Sequence, residues 1–137
     1  MIVLDATVLI AYLDDTDPHH APAAALLRDQ AGSPFATSAL TLAETLVRPV
    51  TRGAADLVID ILVGQLEITT VPIMSLEAPR LAEIRASTGL TMPDCCVLLA
   101  AERLSASKLA TFDARLAQVA AERGLAVLPA VGLPAVG

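Results

Sequence analysis

The sequence predicts an α/β fold in which helices flank a mainly parallel sheet of about five strands. Short β-rich segments alternate along the chain with helix-forming segments, an order typical of parallel sheets. The first segment, Ile2-Val3-Leu4, is apolar throughout, as expected of a strand buried on both faces. No repeat, low-complexity tract or linker divides the 137 residues, so we expect one domain over residues 1–137.

Five strands are predicted from short apolar and β-branched runs bounded by turn or helix-start signals. They cover residues 2–4, 34–37, 66–71, 108–111 and 125–128. The last of these strands lies in an uncharged tail, residues 124–137, which is interrupted by Pro129 and Pro134.

Seven helices are predicted between these strands, and glycine or proline marks most of their ends. They cover residues 7–13, 21–30 (with a start near residue 18), 38–48, 53–63, 75–87, 93–104 and 113–123. Pro49 is expected to end the third helix. In the fourth, residues 57, 58, 61 and 62 recur at helical spacing, and in the fifth we expect Leu76, Leu81 and Ile84 to point inward.

Composition excludes several classes of protein. With 55% apolar residues and a mean hydropathy of +0.64, the chain is not a disordered one. No uncharged stretch reaches the ~20 apolar residues of a membrane-spanning helix, and the N-terminus lacks the basic region of a signal peptide. Cys95 and Cys96 are adjacent, which fits neither a redox motif nor a zinc site. We therefore expect a cytoplasmic protein with no membrane association.

Four acidic residues occupy positions that the predicted fold brings together. Asp5 directly follows the first strand and Asp113 directly follows the fourth. Glu44 lies within the helix after the second strand, and Asp94 opens a strongly apolar helix. Because ligands of open parallel sheets bind outside the carboxyl ends of the strands, we expect all four carboxylates to converge on one rim.

Each acid taken singly also has a purely structural interpretation. Asp5 and Asp113 are each placed to cap the helix that follows. Glu44, three residues after Thr41, matches a capping box, and Asp94 in a first helical turn favours the helix dipole. The sequence leaves this interpretation open for every one of the four.

Taken together, the four acids favour a metal site. Carboxylates in apolar surroundings are unfavourable unless paired or coordinated, and clustering four of them requires cations to hold the site together. Oxygen-only ligands suit hard ions such as Mg²⁺ and Mn²⁺. The chemistry typical of such a site is phosphodiester hydrolysis, with one ion activating a water and a second, if bound, stabilising the departing oxygen.

Net charge is compatible with a nucleic-acid substrate without indicating one. The formal charge of −6 at first argues against it, because phosphate neutralisation needs cations. The four acids supply four of those charges, and eight of the nine basic residues are arginine, which suits phosphate contacts. The only aromatic residues are Tyr12, Phe35 and Phe112, so the sequence predicts no stacking platform for single strands.

The four acidic segments also resemble the motifs of one family, the PIN-domain nucleases, and within it the VapC-type toxins of bacterial toxin–antitoxin pairs. Residues 2–9 resemble the first motif, a strand ending in Asp5 with a hydroxyl residue, Thr7, two positions on. Residues 42–44, 92–94 and 109–113 resemble the second, third and fourth, the last with Thr111 in the usual hydroxyl position. A small departure is Ala6-Thr7, where Thr-Ser or Thr-Asn is more usual.

The resemblance implies a PIN-like three-layer sandwich and a Mg²⁺-dependent endoribonuclease toxin, with Mn²⁺ as a possible substitute. It also implies cleavage of cellular RNA, a homodimer and inhibition by a cognate antitoxin. By analogy, Asp5 and Asp94 are the core metal ligands, Glu44 a ligand or water orienter, and Asp113 a more peripheral acid. The hydroxyls that would position ligands or phosphate are those of Thr7 and Thr111.

Three rival functions remain. A haloacid-dehalogenase-like phosphatase also has an Asp after its first strand, but expects a second Asp where this chain has Thr7, and a late pair of acids where Asp113 stands alone. A non-catalytic protein-interaction module would keep the fold without needing the acids. In the third, all four acids merely cap helices.

Other polar residues have weaker functional claims. His19 and His20 lie beside Pro18 in a predicted exposed turn, where they are interpreted as loop residues rather than ligands. Four arginines are candidates for RNA contact or for ordinary surface roles: Arg48, Arg52, Arg85 and Arg115.

Overall fold

The computed structural model describes residues 1–130, which contain one five-stranded sheet that is parallel throughout. Its strands lie in the order β3-β2-β1-β4-β5. They are β1 (Ile2–Leu4), β2 (Phe35–Ser38), β3 (Thr69–Val71), β4 (Lys108–Ala110) and β5 (Ala126–Leu128). The predicted α/β fold with a five-stranded sheet is confirmed, while residues 131–137 of the predicted domain and uncharged tail lie outside the described residues.

Seven α-helices connect and flank the strands of the described region. They are α1 (Ala6–Leu13), α2 (His20–Asp29), α3 (Ala39–Thr51), α4 (Ala55–Ile59), α5 (Ala78–Thr88), α6 (Met92–Leu104) and α7 (Ala114–Glu122). A π-helical segment, Asp60–Gln65, continues α4, and a 3₁₀ turn, Ser75–Glu77, precedes α5. Within residues 1–130, no helix is long and apolar enough to span a membrane.

The central strand β1 divides the core into two layers because its side chains alternate between faces. Ile2 and Leu4 are fully buried in a cluster with residues of α1, α2 and α4, whereas Val3 is buried in a second cluster with residues of α5, α6 and α7. This is the predicted three-layer sandwich. Helix α6 is its most buried helix, with every residue from 95 to 101 in the core, including both free cysteines.

Helix α3 does not end at Pro49, as the sequence predicts, but continues to Thr51. Proline removes only its own N–H donor, and the groups beyond it remain free to close the last turn. The N–H of Arg52 donates to the carbonyl of Arg48, and that of Ala54 to the carbonyl of Pro49. The helix therefore carries its proline in a final turn.

The predicted helix over residues 53–63 is wrong in its second half, where the backbone widens into the π-helical segment. There the N–H of Leu66 donates to the carbonyl of Ile61, five residues back. Of the apolar residues predicted at helical spacing, Val58 and Leu62 reach the core, whereas Leu57 is 61% exposed.

Leu76, predicted to point inward, is 86% exposed. It lies in the 3₁₀ turn before α5 and therefore outside the α-helical register that buries Leu81 and Ile84. The change of helix type explains the error, because a periodicity argument assumes one helix from end to end.

Candidate active site

The strand order places the ends of β1 and β4 side by side at one edge of the sheet. The chain runs outward from β1 through β2 to β3, then crosses back to place β4 on the other side of β1. A crevice forms where the order reverses, beyond the carboxyl ends of the strands. Asp5 ends β1 and its N–H donates to the carbonyl of Ala110 at 3.0 Å, which fixes it beside the end of β4.

Asp5 is 4% exposed and accepts two hydroxyl hydrogen bonds on one oxygen. Thr7 and Thr111 each donate to its Oδ2 at 2.8 Å. Although Asp5 occupies the position before α1, its side chain caps no backbone N–H. Among the described residues no hydrogen bond engages Oδ1, so the capping interpretation does not account for Asp5, and one carboxylate oxygen remains open to a ligand.

The hydroxyls of Thr7 and Thr111 connect Asp5 to the loop that follows β4. Their Oγ1 atoms are 3.4 Å apart. Thr7 accepts the N–H of Phe112 at 3.0 Å, and Thr111 accepts the N–H of Asp113 at 2.9 Å. Both threonines thus hold the residues around the site rather than standing free as ligands.

Asp113 caps helix α7, as its structural interpretation predicts. Its Oδ1 accepts the N–H groups of Arg115 and Leu116 at 2.9 and 3.0 Å. The second carboxylate oxygen makes no such contact within the described chain. Asp113 is therefore tied to the helix, consistent with the more peripheral position expected of it.

Asp94 lies within the electrostatic influence of the other three acids. It occupies the first turn of α6, behind the N-cap Thr91, where a carboxylate favours the helix dipole, as its structural interpretation predicts. Partial burial raises the pKa of Asp94 to about 6, and the carboxylates of Asp5, Asp113 and Glu44 add to the rise. Asp94 is thus the acid on which the charges of the other three act.

Glu44 belongs to the site and not to a capping box. The N-cap of α3 is Ser38, whose Oγ accepts the N–H of Thr41 at 3.0 Å, so Thr41 lies inside the helix. Glu44 is exposed at the rim. Partial desolvation and then the charge of Asp5 raise its pKa.

The donor set fits a hydrated hard cation. All of its groups are carboxylates or hydroxyls, and within residues 1–130 no lysine or arginine forms an ion pair with any of the four acids. In the same residues no three acids approach closely enough to ligate one ion together. A hard cation that keeps several of its waters needs only one or two protein carboxylates, so a hydrated ion fits these residues where a fully caged metal does not.

Two arginines lie in a groove beside Glu44. The groove, of about 360 Å³, opens between α1, α3 and α4, and Arg48 and Arg52 line it together with Asp14 and Asp15. Arg48 also forms an ion pair with Asp14 at 3.8 Å. The other two candidate arginines are engaged elsewhere. Arg85 donates to the carbonyl of Leu90 at 2.6 Å and Arg115 to that of Thr88 at 2.7 Å.

The structure also reveals an aromatic pair that the sequence did not predict. The rings of His19 and Phe112 stack with centroids 4.4 Å apart and planes inclined by 9°. In the sequence, the only indication that Phe112 lies near the site is its position between Thr111 and Asp113. His19 is brought to Phe112 only by the tertiary fold. The stack is internal to the protein, so the expectation that the chain offers no stacking platform for single strands stays a prediction.

Comparisons with known proteins agree with this arrangement. The family model described as PIN domain matches residues 2–122. The crystal structure of VapC20 from Mycobacterium tuberculosis, described as a sarcin–ricin loop cleaving toxin, matches with a TM-score of 0.70. That match has 17% sequence identity and covers 87% of this chain and 95% of that one, so the likeness is one of fold. A search of curated proteins gave no significant match.

Proposed function

Because this chain belongs to the PIN-domain family, we propose that it is a metal-dependent endoribonuclease of the VapC toxin type. The observation that carries the proposal is the effect of three other carboxylates on the partly buried Asp94, whose pKa rises to about 6. Such a cluster is unfavourable in the folded protein unless a cation or a reaction uses it. A protein that only bound a partner would gain nothing from it.

The residues proposed to hold the cation are Asp5 and Asp94. Because no three acids of the described residues approach closely enough to share one ion, Glu44 at the rim is assigned as the group that orients a water and not as a third direct ligand. A divalent ion in this position supplies activation of water and neutralisation of phosphate charge. We assign Mg²⁺ as this ion, with Mn²⁺ as an alternative, from the oxygen-only donor set.

The protein's own contribution is to hold these carboxylates in place and to receive a proton. Thr7 and Thr111 fix the orientation of Asp5 through its Oδ2. The raised pKa of Glu44 makes it a stronger base than an ordinary glutamate, which suits a group that accepts a proton from an attacking water. Asp113 stays bound to α7 and adds negative charge at the edge of the site.

The reaction proposed is hydrolysis of an RNA phosphodiester. A bond forms between a water oxygen and phosphorus, the bond from phosphorus to the 3′ oxygen breaks, and that oxygen leaves with a proton. The phosphate then remains on the 5′ end of the downstream fragment. A 2′,3′-cyclic phosphate on the upstream fragment would exclude this route, because it requires attack by the 2′ hydroxyl instead of water.

The experiment that tests the proposal is cleavage of total cellular RNA by the purified chain with Mg²⁺, with Mn²⁺ and with EDTA. Wild type is compared with Asp94→Asn and with Asp29→Asn, a matched substitution of an exposed acid at the end of α2. We expect discrete fragments from wild type and Asp29→Asn only when metal is present. Digestion of those fragments by a 5′-phosphate-dependent exonuclease checks the product. A folded wild type that cleaves nothing with either metal would favour the non-catalytic interaction module.

The partners proposed are a cognate antitoxin, a second copy of the chain and cytoplasmic RNA. Exposed apolar side chains along α3, α4 and the π-helical segment support a protein partner, since large exposed aliphatic residues often mark interfaces. They are Val47, Val50, Leu57, Ile59 and Val63. Light scattering of the purified chain tests the homodimer. Cleavage assays with the protein encoded beside the chain's gene test the inhibitor.

A further inference from the structure

We propose that His19 and Phe112 form a platform on which a base of the RNA substrate stacks, next to the phosphodiester that is cut. This inference deepens the proposed ribonuclease function and rests on it. It concerns two residues that are not among the four acids of the carboxylate site.

The first argument is position. Phe112 lies between Thr111, which bonds Asp5, and Asp113, which caps α7. Its own N–H donates to Thr7 Oγ1 at 3.0 Å. The backbone of Phe112 is therefore fixed in the loop that carries Thr111 and Asp113, at the edge of the carboxylate site.

The second argument is the exposed ring of His19. One face of the imidazole packs on Phe112 with the planes nearly parallel, yet 54% of the side chain is exposed. Its backbone is held where α2 begins, because the N–H of His19 donates to Asp17 Oδ1 at 2.8 Å. A flat, positioned and accessible ring thus stands over the edge of the site.

The third argument is the chemistry of the ligand. Single-stranded RNA is recognised by stacking of unpaired bases on aromatic side chains, histidine included. The other aromatic residues that the structure describes offer no such surface. Phe35 is buried, and Tyr12 packs against the core. A base is therefore the occupant that matches both the flat ring and the proposed substrate.

The competing interpretation is that the stack only ties the connection between α1 and α2 to the loop after β4. A tie predicts that removing the ring lowers thermal stability and leaves RNA affinity unchanged once the protein is folded. A platform predicts that removing the ring lowers the affinity for RNA. A different flat ring at position 19 should then restore the affinity, whereas an aliphatic side chain should not.

The test measures binding of single-stranded RNA octamers that carry one 2-aminopurine in an otherwise random sequence, in EDTA so that no cleavage occurs. The variants are His19→Ala, His19→Leu, which keeps apolar contact with Phe112, and His19→Phe, which keeps a flat ring. His20→Gln is the matched control, since His20 contacts the carbonyl of Ala11 and not the stack. The melting temperature of each variant is recorded beside its affinity.

We expect His19→Ala and His19→Leu to bind at least about fivefold more weakly, the low end for loss of one stacked base. Both should lose the stacking-induced change in 2-aminopurine fluorescence. His19→Phe and His20→Gln should stay within about twofold of wild type. If wild type binds RNA and His19→Leu, folded, binds it equally well with the same fluorescence, the platform is wrong while the proposed function stands. If folded wild type does not bind the octamers, the platform is wrong, whereas the proposed function is decided separately by the metal-dependent cleavage of total cellular RNA.

Discussion

Thr111 donates its hydroxyl hydrogen to Oδ2 of Asp5 over 2.8 Å, and the same hydroxyl oxygen accepts the N–H of Asp113 at 2.9 Å. One buried side chain thus links the acid at the end of β1 to the loop that begins α7. Neither residue can move independently of the other while this hydroxyl is present.

Replacing the Thr111 hydroxyl is therefore expected to impair both stability and activity. Thr111→Val keeps the shape of the side chain but removes the hydrogen bond to Asp5 Oδ2 and the acceptor of the Asp113 N–H. We expect this loss to reduce the free energy of unfolding by about 1–3 kcal/mol. RNA cleavage should fall about 10- to 100-fold, as for other groups that orient metal ligands. Thr111→Ser should restore most of both in urea unfolding and cleavage assays. Equal cleavage rates for Thr111→Val and wild type would exclude this orienting role.

The raised pKa of Asp94 predicts that its substitution stabilises the metal-free protein above pH 6. Asp94 binds its proton more tightly in the folded state, where its pKa is about 6, than in the unfolded state, near the ordinary value of 3.8. Stability is therefore lost as the pH rises from about 4 to 6, and Asp94→Asn escapes that loss. We expect the variant to be about 1–2 kcal/mol more stable than wild type at pH 7.5, after allowing for solvent screening, with little difference near pH 3.5. Urea unfolding in EDTA at the two pH values measures this, and a variant less stable than wild type at pH 7.5 would contradict it.

Divalent cations should stabilise the wild-type protein through the same charges. A cation that binds only the folded state at ten times its Kd adds about 1.4 kcal/mol to the free energy of unfolding. We expect MgCl₂ to raise the melting temperature of wild type but much less that of Asp5→Asn, with NaCl at matched ionic strength as the control. A rise of the same size in both proteins would show that the ion binds elsewhere.

Two substitutions of Asp113 should distinguish its role as the N-cap of α7 from the role of its negative charge in RNA cleavage. Asparagine caps helices about as well as aspartate, so Asp113→Asn should keep its stability, whereas Asp113→Ala should lose about 0.5–2 kcal/mol. If the carboxylate also serves the reaction, the two variants should show similar losses of RNA cleavage despite their different stability. Full activity in Asp113→Asn would assign this residue to the helix alone.

Arg48 and Arg52 should contact substrate phosphates, since both line the groove beside Glu44. Replacing either with glutamine should weaken binding of single-stranded RNA and reduce the slope of log K against log salt by about 0.7 for each phosphate that the variant no longer neutralises. Arg28→Gln is the control, because Arg28 is an exposed arginine in α2 and does not line the groove. Weaker affinity in all three variants with unchanged slopes would argue against specific phosphate contacts.

The sequence predicted the sheet and the family because those depend on short-range patterns. Apolar strands ending in Asp5 and in Thr111–Asp113 specify where the acids emerge, and the family identified from four segments is confirmed by the match over residues 2–122. Two strands joined by a helix usually pair in parallel, because the helix carries the chain back across the sheet. The expectation that all four acids lie at one edge of the sheet followed from that topology.

The errors arise where the local pattern did not determine the tertiary arrangement. Leu76 falls in a turn of a different helix type, and Pro49 is tolerated because the N–H groups beyond it close the last turn. The stacking of His19 on Phe112 joins residues far apart in the chain, and no periodicity carries that information. Of the structural interpretations, side-chain capping is seen only for Asp113, and Asp94 has the first-turn position that favours the helix dipole; coordinates were needed to decide this for each acid.

Helix α6 joins Asp94 directly to seven consecutive buried residues, and this has a genetic consequence. In a selection for cells that survive production of the chain, inactivating substitutions should fall into two groups. Changes at the acids should leave protein that accumulates normally, whereas larger side chains at positions such as Ala100 should cause degradation before any RNA is cut. Because so much of this helix is intolerant of change, survivors of the second group should outnumber those of the first.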